Sequence, residues 1–198
     1  LDQFLDQIFS KLDIKISIKT RIGTHYEEDW EYLLAIYEKY PIHELIIHPR
    51  IQTDMYRGVP RLGAYEKAVN RLKIPLCYNG NLFSAADYKR ITERFPDTCC
   101  FMYGRGLITN PGLVTEIREG IRPNKKTLRE FHDCLFEEYR ELLSGERNVL
   151  FRMKELWSYM AVNFTNYEKY AKKIKKSQHL SEYSSVVSSL FAEQDLID

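Results

Sequence analysis

Hydrophobic positions change period repeatedly along the first 120 residues. From Ile14 to Ile22, "IKISIKTRI" alternates apolar and polar residues with the period of two that marks a half-buried strand. The next stretch, "EEDWEYLLAIYEKY", repeats its apolar residues every three to four positions, as one face of a helix does. The pair recurs three times: "HELIIHPR" then "RLGAYEKAVNRL", "IPLCYNG" then "SAADYKRITERF", and "TCCFMYGRG" then a helix around "PGLVTEIREG". Short apolar strands alternating with three-turn helices predict parallel βαβ units. Ahead of them, "LDQFLDQIFSKL" places Leu1, Leu5, Ile8 and Leu12 on one helical face.

After "IRPNKK" the strand signals cease. "TLREFHDCLFEEYRELLSG", "ERNVLFRMKELWSYMAVNF", "NYEKYAKKIKK" and "SEYSSVVSSLFAEQDL" all carry helical periodicity. Leu128, Leu135 and Leu142 share a face of the first, and Leu150, Met153, Trp157 and Met160 share a face of the second. The expected organisation is an α/β body over residues 1–122 and a small all-helical bundle over residues 123–198, linked near Pro123-Asn124.

Four βα units are too few for a closed (β/α)8 barrel, which takes about 250 residues. They suit half a barrel, or half of an open doubly wound sheet. Every strand carries its polar residues at its C-terminal end: Lys19-Thr20-Arg21, His48-Pro49-Arg50, Asn79-Gly80-Asn81 and Gly104-Arg105-Gly106. That end is the active face of a barrel, so the layout fits the second half of a TIM barrel followed by helices.

Composition narrows the partners only slightly. The 198 residues carry a net charge of +1, so contact with nucleic acid has to come from a local patch. Cys77, Cys99, Cys100 and Cys134 form no CxxC pair and no metal-ligand spacing; they read as reduced core thiols of a cytoplasmic protein, with no metal expected. No window reaches the roughly 18 apolar residues of a membrane helix. The chain opens on Leu1 in mid-helix, which suggests a missing N-terminus.

Singly, the strand-end motifs are ordinary. "KTR" reads as a solvated edge, a lone histidine as a hydrogen-bonded structural residue, and "NG" as a turn. "GRG", where a strand yields to a helix, fits a backbone that closes on an anion. All four in order, at the same end of successive strands, form a pattern. "SIKTRIG", "ELIIHPR", "PLCYNGN" and "MYGRGLITNPGL" resemble the back half of the tRNA-dihydrouridine synthases, FMN-dependent TIM-barrel enzymes with a C-terminal helical domain. The resemblance covers residues 14 to about 120, and "RMKELWSYM" agrees more loosely.

The resemblance implies reduction of the C5–C6 double bond of particular tRNA uridines, with NADPH reducing FMN and the target base flipped out of its stack. It places Lys19 near the pyrimidine edge of the flavin, where a cation stabilises the reduced ring's charge, and His48 against FMN. Asn79, Gly80, Asn81, Gly104 and Arg105 would hold the phosphate and ribityl chain. Arg21 and Arg50 become candidates to orient the base or a nearby tRNA phosphate. The chain departs from the family pattern in reading "NGN" where a carboxylate usually follows Asn-Gly. The family's proton-donating cysteine sits in an Asn-x-Gly-Cys-Pro motif that these residues lack, so it is expected upstream, and the chain alone is expected to be inactive and to hold FMN weakly.

"KYAKKIKK" supplies five lysines within about two helical turns. Charge alone fits a solvated face equally well; the resemblance favours tRNA phosphates for Lys172 and Lys173, with Arg147, Arg152 and Lys154 extending the patch. Two other readings stay open: a phosphate-binding half barrel of an isomerase or aldolase, and a non-catalytic RNA-binding module. Unpaired edges of a half barrel would also promote self-association.

Overall fold

A computed structural model describes residues 1–197. It is an α/β protein whose chain divides into two compact units, residues 1–82 with 86–103, and residues 83–85 with 104–198.

The first unit is built on four parallel strands, β1 (Ser17–Arg21), β2 (Glu44–His48), β3 (Leu76–Tyr78) and β4 (Cys100–Phe101). They lie side by side in chain order, without the reversal that defines a doubly wound sheet. Helices α2 (Asp29–Tyr37), α3 (Leu62–Arg71) and α4 (Ala85–Arg94) connect them, and α1 (Asp2–Lys11) precedes them. Register and alternation give the sheet two chemically distinct faces. Ile18, Leu45, Ile47, Leu76, Tyr78 and Phe101 point to one face and pack with Trp30, Leu34, Tyr65, Ala68, Ile91 and Phe95 in a single core. Trp30, Leu34 and Tyr37, at i, i+4 and i+7, form the buried stripe of α2, and Trp30 Nε1 donates to Ala64 O at 2.7 Å. The opposite face carries Ser17, Lys19, Arg21, Glu44, Ile46, His48, Cys77 and Cys100. It is the polar face.

The stripe expected on α1 is only partly covered. Leu5 is buried, whereas Leu1 and Leu12 are exposed. The helix is held by polar ties instead: Lys39 pairs with Asp2 at 2.6 Å, and Tyr40 stacks on Phe9.

In the second unit, short α5 (Arg105–Thr109) and α6 (Leu113–Glu119) precede α7 (Lys125–Leu142), α8 (Glu146–Met160), α9 (Tyr167–Lys176) and α10 (Leu180–Glu193). The unit begins at Gly104, earlier than the division expected at residues 122 and 123, because α5 joins the helices: Ile108 packs on their core and Asn163 Nδ2 donates to Thr109 O at 2.6 Å. The expected α8 face is wholly buried, with Leu150, Met153, Trp157 and Met160 inside. Of the face expected on α7, Leu128 is buried, whereas Leu142 is 74% exposed.

A polar trio sits inside this apolar core. Trp157 Nε1 and His132 Nε2 each lie 2.6 Å from Tyr183 Oη. Indole can only donate, so the tyrosine oxygen accepts from Trp157; with a neutral imidazole, Tyr183 gives its own proton to His132 Nε2. The Asp133 carboxylate accepts, so His132 Nδ1 carries a proton directed to it at 2.8 Å. Burial lowers the His132 pKa and outweighs the raising effect of Asp133.

Candidate functional site

The C-terminal ends of β1, β2 and β3 bring Lys19, Arg21, His48 and Asn79 to one end of the polar face. Lys19 Nζ donates to Asn79 Oδ1 at 2.6 Å, and Asn79 Nδ2 donates to Met102 O at 2.7 Å. These two bonds fix the orientation of the Asn79 amide, oxygen toward the cation. Partial burial lowers the Lys19 pKa, and the nearby charge of Arg21 lowers it further. The partner of the ammonium is a neutral amide, so an incoming anion would relieve both effects.

Arg50 is fully buried. Its Nε donates to Arg57 O at 3.2 Å, Nη2 to Gly58 O at 2.5 Å, and Nη1 to Asn81 Oδ1 at 3.2 Å. Nη1 also lies 3.1 Å from His48 Nε2, and because guanidinium only donates, that nitrogen accepts. Arg50 thus braces His48, Asn81 and the loop after β2 from beneath. Arg50 was expected to orient the target base or a nearby tRNA phosphate; here its side chain has no accessible surface and its donors serve the protein. Arg21 is half-buried and braces the same loop, donating to Ile51 O at 2.9 Å and Met55 O at 3.0 Å, with its guanidinium 5.9 Å from the Tyr56 ring centre. Arg61 pairs with Asp54 and, at 2.9 Å, with Glu27. Three arginines therefore set one loop whose Met55, Tyr56 and Val59 are exposed. In the sequence, "QTDMYRGVP" has no period that would show which of its side chains are exposed, although its flanking arginines are visible.

Asn81 accepts from Arg50 with an amide oxygen, so the acceptor that a carboxylate would provide is retained. Gly80 is forced by packing: a Cβ there would stand 2.7 Å from Tyr78 Oη and 3.1 Å from Pro60 Cγ.

Gly104 and Arg105 lie in the second unit. An added Cβ at Gly104 would meet no atom within 4 Å, so packing does not explain the glycine, and the space is open to a ligand. The Arg105 guanidinium sits 5.3 Å from the Phe83 ring centre at the start of α5. Asn110 ends that helix, its Oδ1 accepting from Gly112 N at 3.0 Å and its Nδ2 donating to Glu116 at 2.7 Å, which turns the chain into α6.

Among the basic residues expected to meet tRNA, Lys172 and Lys173 are exposed on α9 and Arg147 is exposed on α8. Arg152 is exposed and pairs with Glu155 at 3.0 Å. Lys154 is half-buried and donates to Ser177 O beyond the end of α9. Its ammonium serves that carbonyl, so it extends the patch less than expected.

The thiols divide. Cys77 is buried, as expected, but Cys99 and Cys134 are exposed and Cys100 is half-buried, so the reading of all four as core residues is corrected. Cys99 precedes β4, and Cys134 is exposed on α7.

A family model described as dihydrouridine synthase (Dus) matches residues 1–194. The chain belongs to the dihydrouridine synthase family. It is 30% identical over 152 residues to the tRNA-dihydrouridine(16) synthase of Shewanella oneidensis, covering 73% of this chain and 46% of that protein. It is 27% identical over 147 residues to the tRNA-dihydrouridine synthase B of Pasteurella multocida, covering 71% and 43%. The chain thus spans less than half the length of these curated relatives. Within this dihydrouridine synthase family member, the strand-end cluster of Lys19, His48 and Asn79 is the candidate cofactor site.

Proposed function

We propose that these residues form the flavin-facing half of an FMN-dependent enzyme that reduces tRNA uridines to 5,6-dihydrouridine with NADPH. The observation that carries this reading is the Lys19–Asn79 bond of 2.6 Å at the end of the sheet where His48 also stands. Four parallel strands in chain order, with helices packed on one face and polar residues on the other, suit half of a (β/α)8 barrel whose polar face looks inward.

The residues fit the group. In the first unit Lys19 supplies an under-neutralised cation beside Asn79; in the second unit, taken by itself, Gly104 leaves open space beside the first amides of α5 and Arg105 carries charge at the same helix start. When bound, FMN supplies hydride transfer. Lys19 would hold negative charge at the flavin ring while Asn79 fixes the ammonium, His48 would press on the cofactor from its braced position, and Arg21 would steady the loop over the mouth. Lys172, Lys173 and Arg147 would contact tRNA phosphates. The chain contains no Asn-x-Gly-Cys-Pro motif, so the 198 residues alone should form no dihydrouridine.

The test is complementation. The protein in its full natural length is expressed in cells stripped of their own tRNA-dihydrouridine synthases, and tRNA is digested and weighed nucleoside by nucleoside. Dihydrouridine should return with the wild type and not with Lys19→Met. Equal restoration by both would overturn the role given to Lys19, and none by either would overturn the activity.

A further inference from the structure

On the cross-strand row of Lys19, which runs through Ile46 to Cys77 and Cys100, the polar face of the sheet holds a second group of side chains. Cys77 and Cys100 are direct register partners on β3 and β4, and Glu44 opens β2 two residues before Ile46, the register partner of Cys77. Alternation therefore turns all three side chains to the same face. One ligand atom from each, two sulfurs and a carboxylate oxygen, lies within 4.8 Å of the others. Cys77 is buried, and Glu44 and Cys100 are half-buried. Spacing rules overlook the group because three separate strands supply its ligands.

We propose that Glu44, Cys77 and Cys100 bind one thiophilic divalent cation of the zinc class. Two sulfurs and one oxygen are a borderline-soft donor set, which disfavours magnesium and calcium, and a fourth position remains for water or another group. Binding breaks two S–H bonds, releases two protons to solvent and makes two sulfur–metal bonds, with no change of oxidation state. The filled site carries two thiolates, one carboxylate and a dication, a net charge of about −1. Lys19, whose charge acts on Cys77 from the same face, compensates that excess. The ion would tie β2, β3 and β4 together on the row that Lys19 begins on β1, a structural role that needs no contact with the flavin. A site of three ligands is weaker than a closed four-ligand one, so it would load and unload readily.

Cobalt(II) is the probe. The full chain, reduced and metal-free, carries Cys99→Ser and Cys134→Ser to remove the two exposed thiols. Titration should give one cobalt per chain, with near-ultraviolet sulfur-to-cobalt absorption that equimolar zinc(II) displaces. Adding Cys100→Ser should weaken binding at least about tenfold and halve that absorption per bound ion. Glu44→Gln should weaken binding while leaving the absorption of the loaded site intact, which guards against a misfolded cysteine variant. Absence of sulfur-to-cobalt absorption, or unchanged affinity in both variants, would overturn the proposal.

Discussion

Replacing Arg50 by methionine keeps most of the side-chain volume and removes every donor. At least four acceptors lose a partner, among them Arg57 O, Gly58 O, Asn81 Oδ1 and His48 Nε2. Arg57 and Gly58 are exposed, so water can replace the guanidinium at their carbonyls at little cost. His48 is only 7% exposed and Asn81 is half-buried, so these two are the expensive losses. Losing a hydrogen bond from a charged donor at such an acceptor costs about 1–3 kcal/mol. Charging the full range to His48 and the lower end to Asn81 gives about 2–4 kcal/mol. Relief of a desolvated charge offsets part of this, leaving about 2 kcal/mol. Urea unfolding of Arg50→Met against wild type measures the loss, and limited trypsin digestion at Arg57 measures release of the loop. A stability change below about 0.5 kcal/mol with unchanged cleavage would refute the bracing role.

The remaining predictions follow from other bonds. His132 is neutral in the folded unit, and the unfolded chain binds its proton near pH 6.5, so the unfolded state carries more protons below that value. The stability of residues 104–198 should therefore hold above pH 6.5 and fall as pH drops toward the lowered folded value, by up to about 1.4 kcal/mol per pH unit from this residue, a dependence that unfolding of a His132→Asn variant should lack. Gly80→Ala should cost about 1–3 kcal/mol in thermal unfolding, because Tyr78 Oη at 2.7 Å and Pro60 must both give way around a buried tyrosine. Lys172→Gln with Lys173→Gln should weaken tRNA binding at all sequences and reduce the slope of log affinity against log salt by about 1.4–1.8, as measured by filter binding.

Strands and helices were legible in the sequence wherever burial imposes a period. All four strands lie inside the apolar runs that announced them, and Trp30, Leu34 and Tyr37 are buried on the helix whose repeat they set. Short elements carry no period to read: α5 spans five residues between Gly104 and Asn110, and the sequence showed only a glycine-rich corner. The strand-end residues could be placed at one end of the sheet from order alone, because parallel strands share a direction. Their division of labour could not. Arg21 and Arg50 have the same neighbours in sequence terms, each two residues after a polar strand-end residue, yet one is half-buried and the other wholly buried. That difference depends on a loop of irregular backbone, with Met55 at φ 53°, which no periodicity describes. The Glu44, Cys77 and Cys100 group was hidden for the same reason, since register joins residues that the chain keeps far apart.

Flavin retention tests the central claim most directly. The protein in its full natural length is purified without added cofactor, and its visible absorption and the FMN released on denaturation are compared between wild type and Lys19→Met. The wild type should carry FMN in a fixed ratio to protein, and the variant should lose most of it while remaining folded. A colourless wild type that also fails to bind added FMN, or a variant that holds the flavin as firmly as the wild type, would contradict the account.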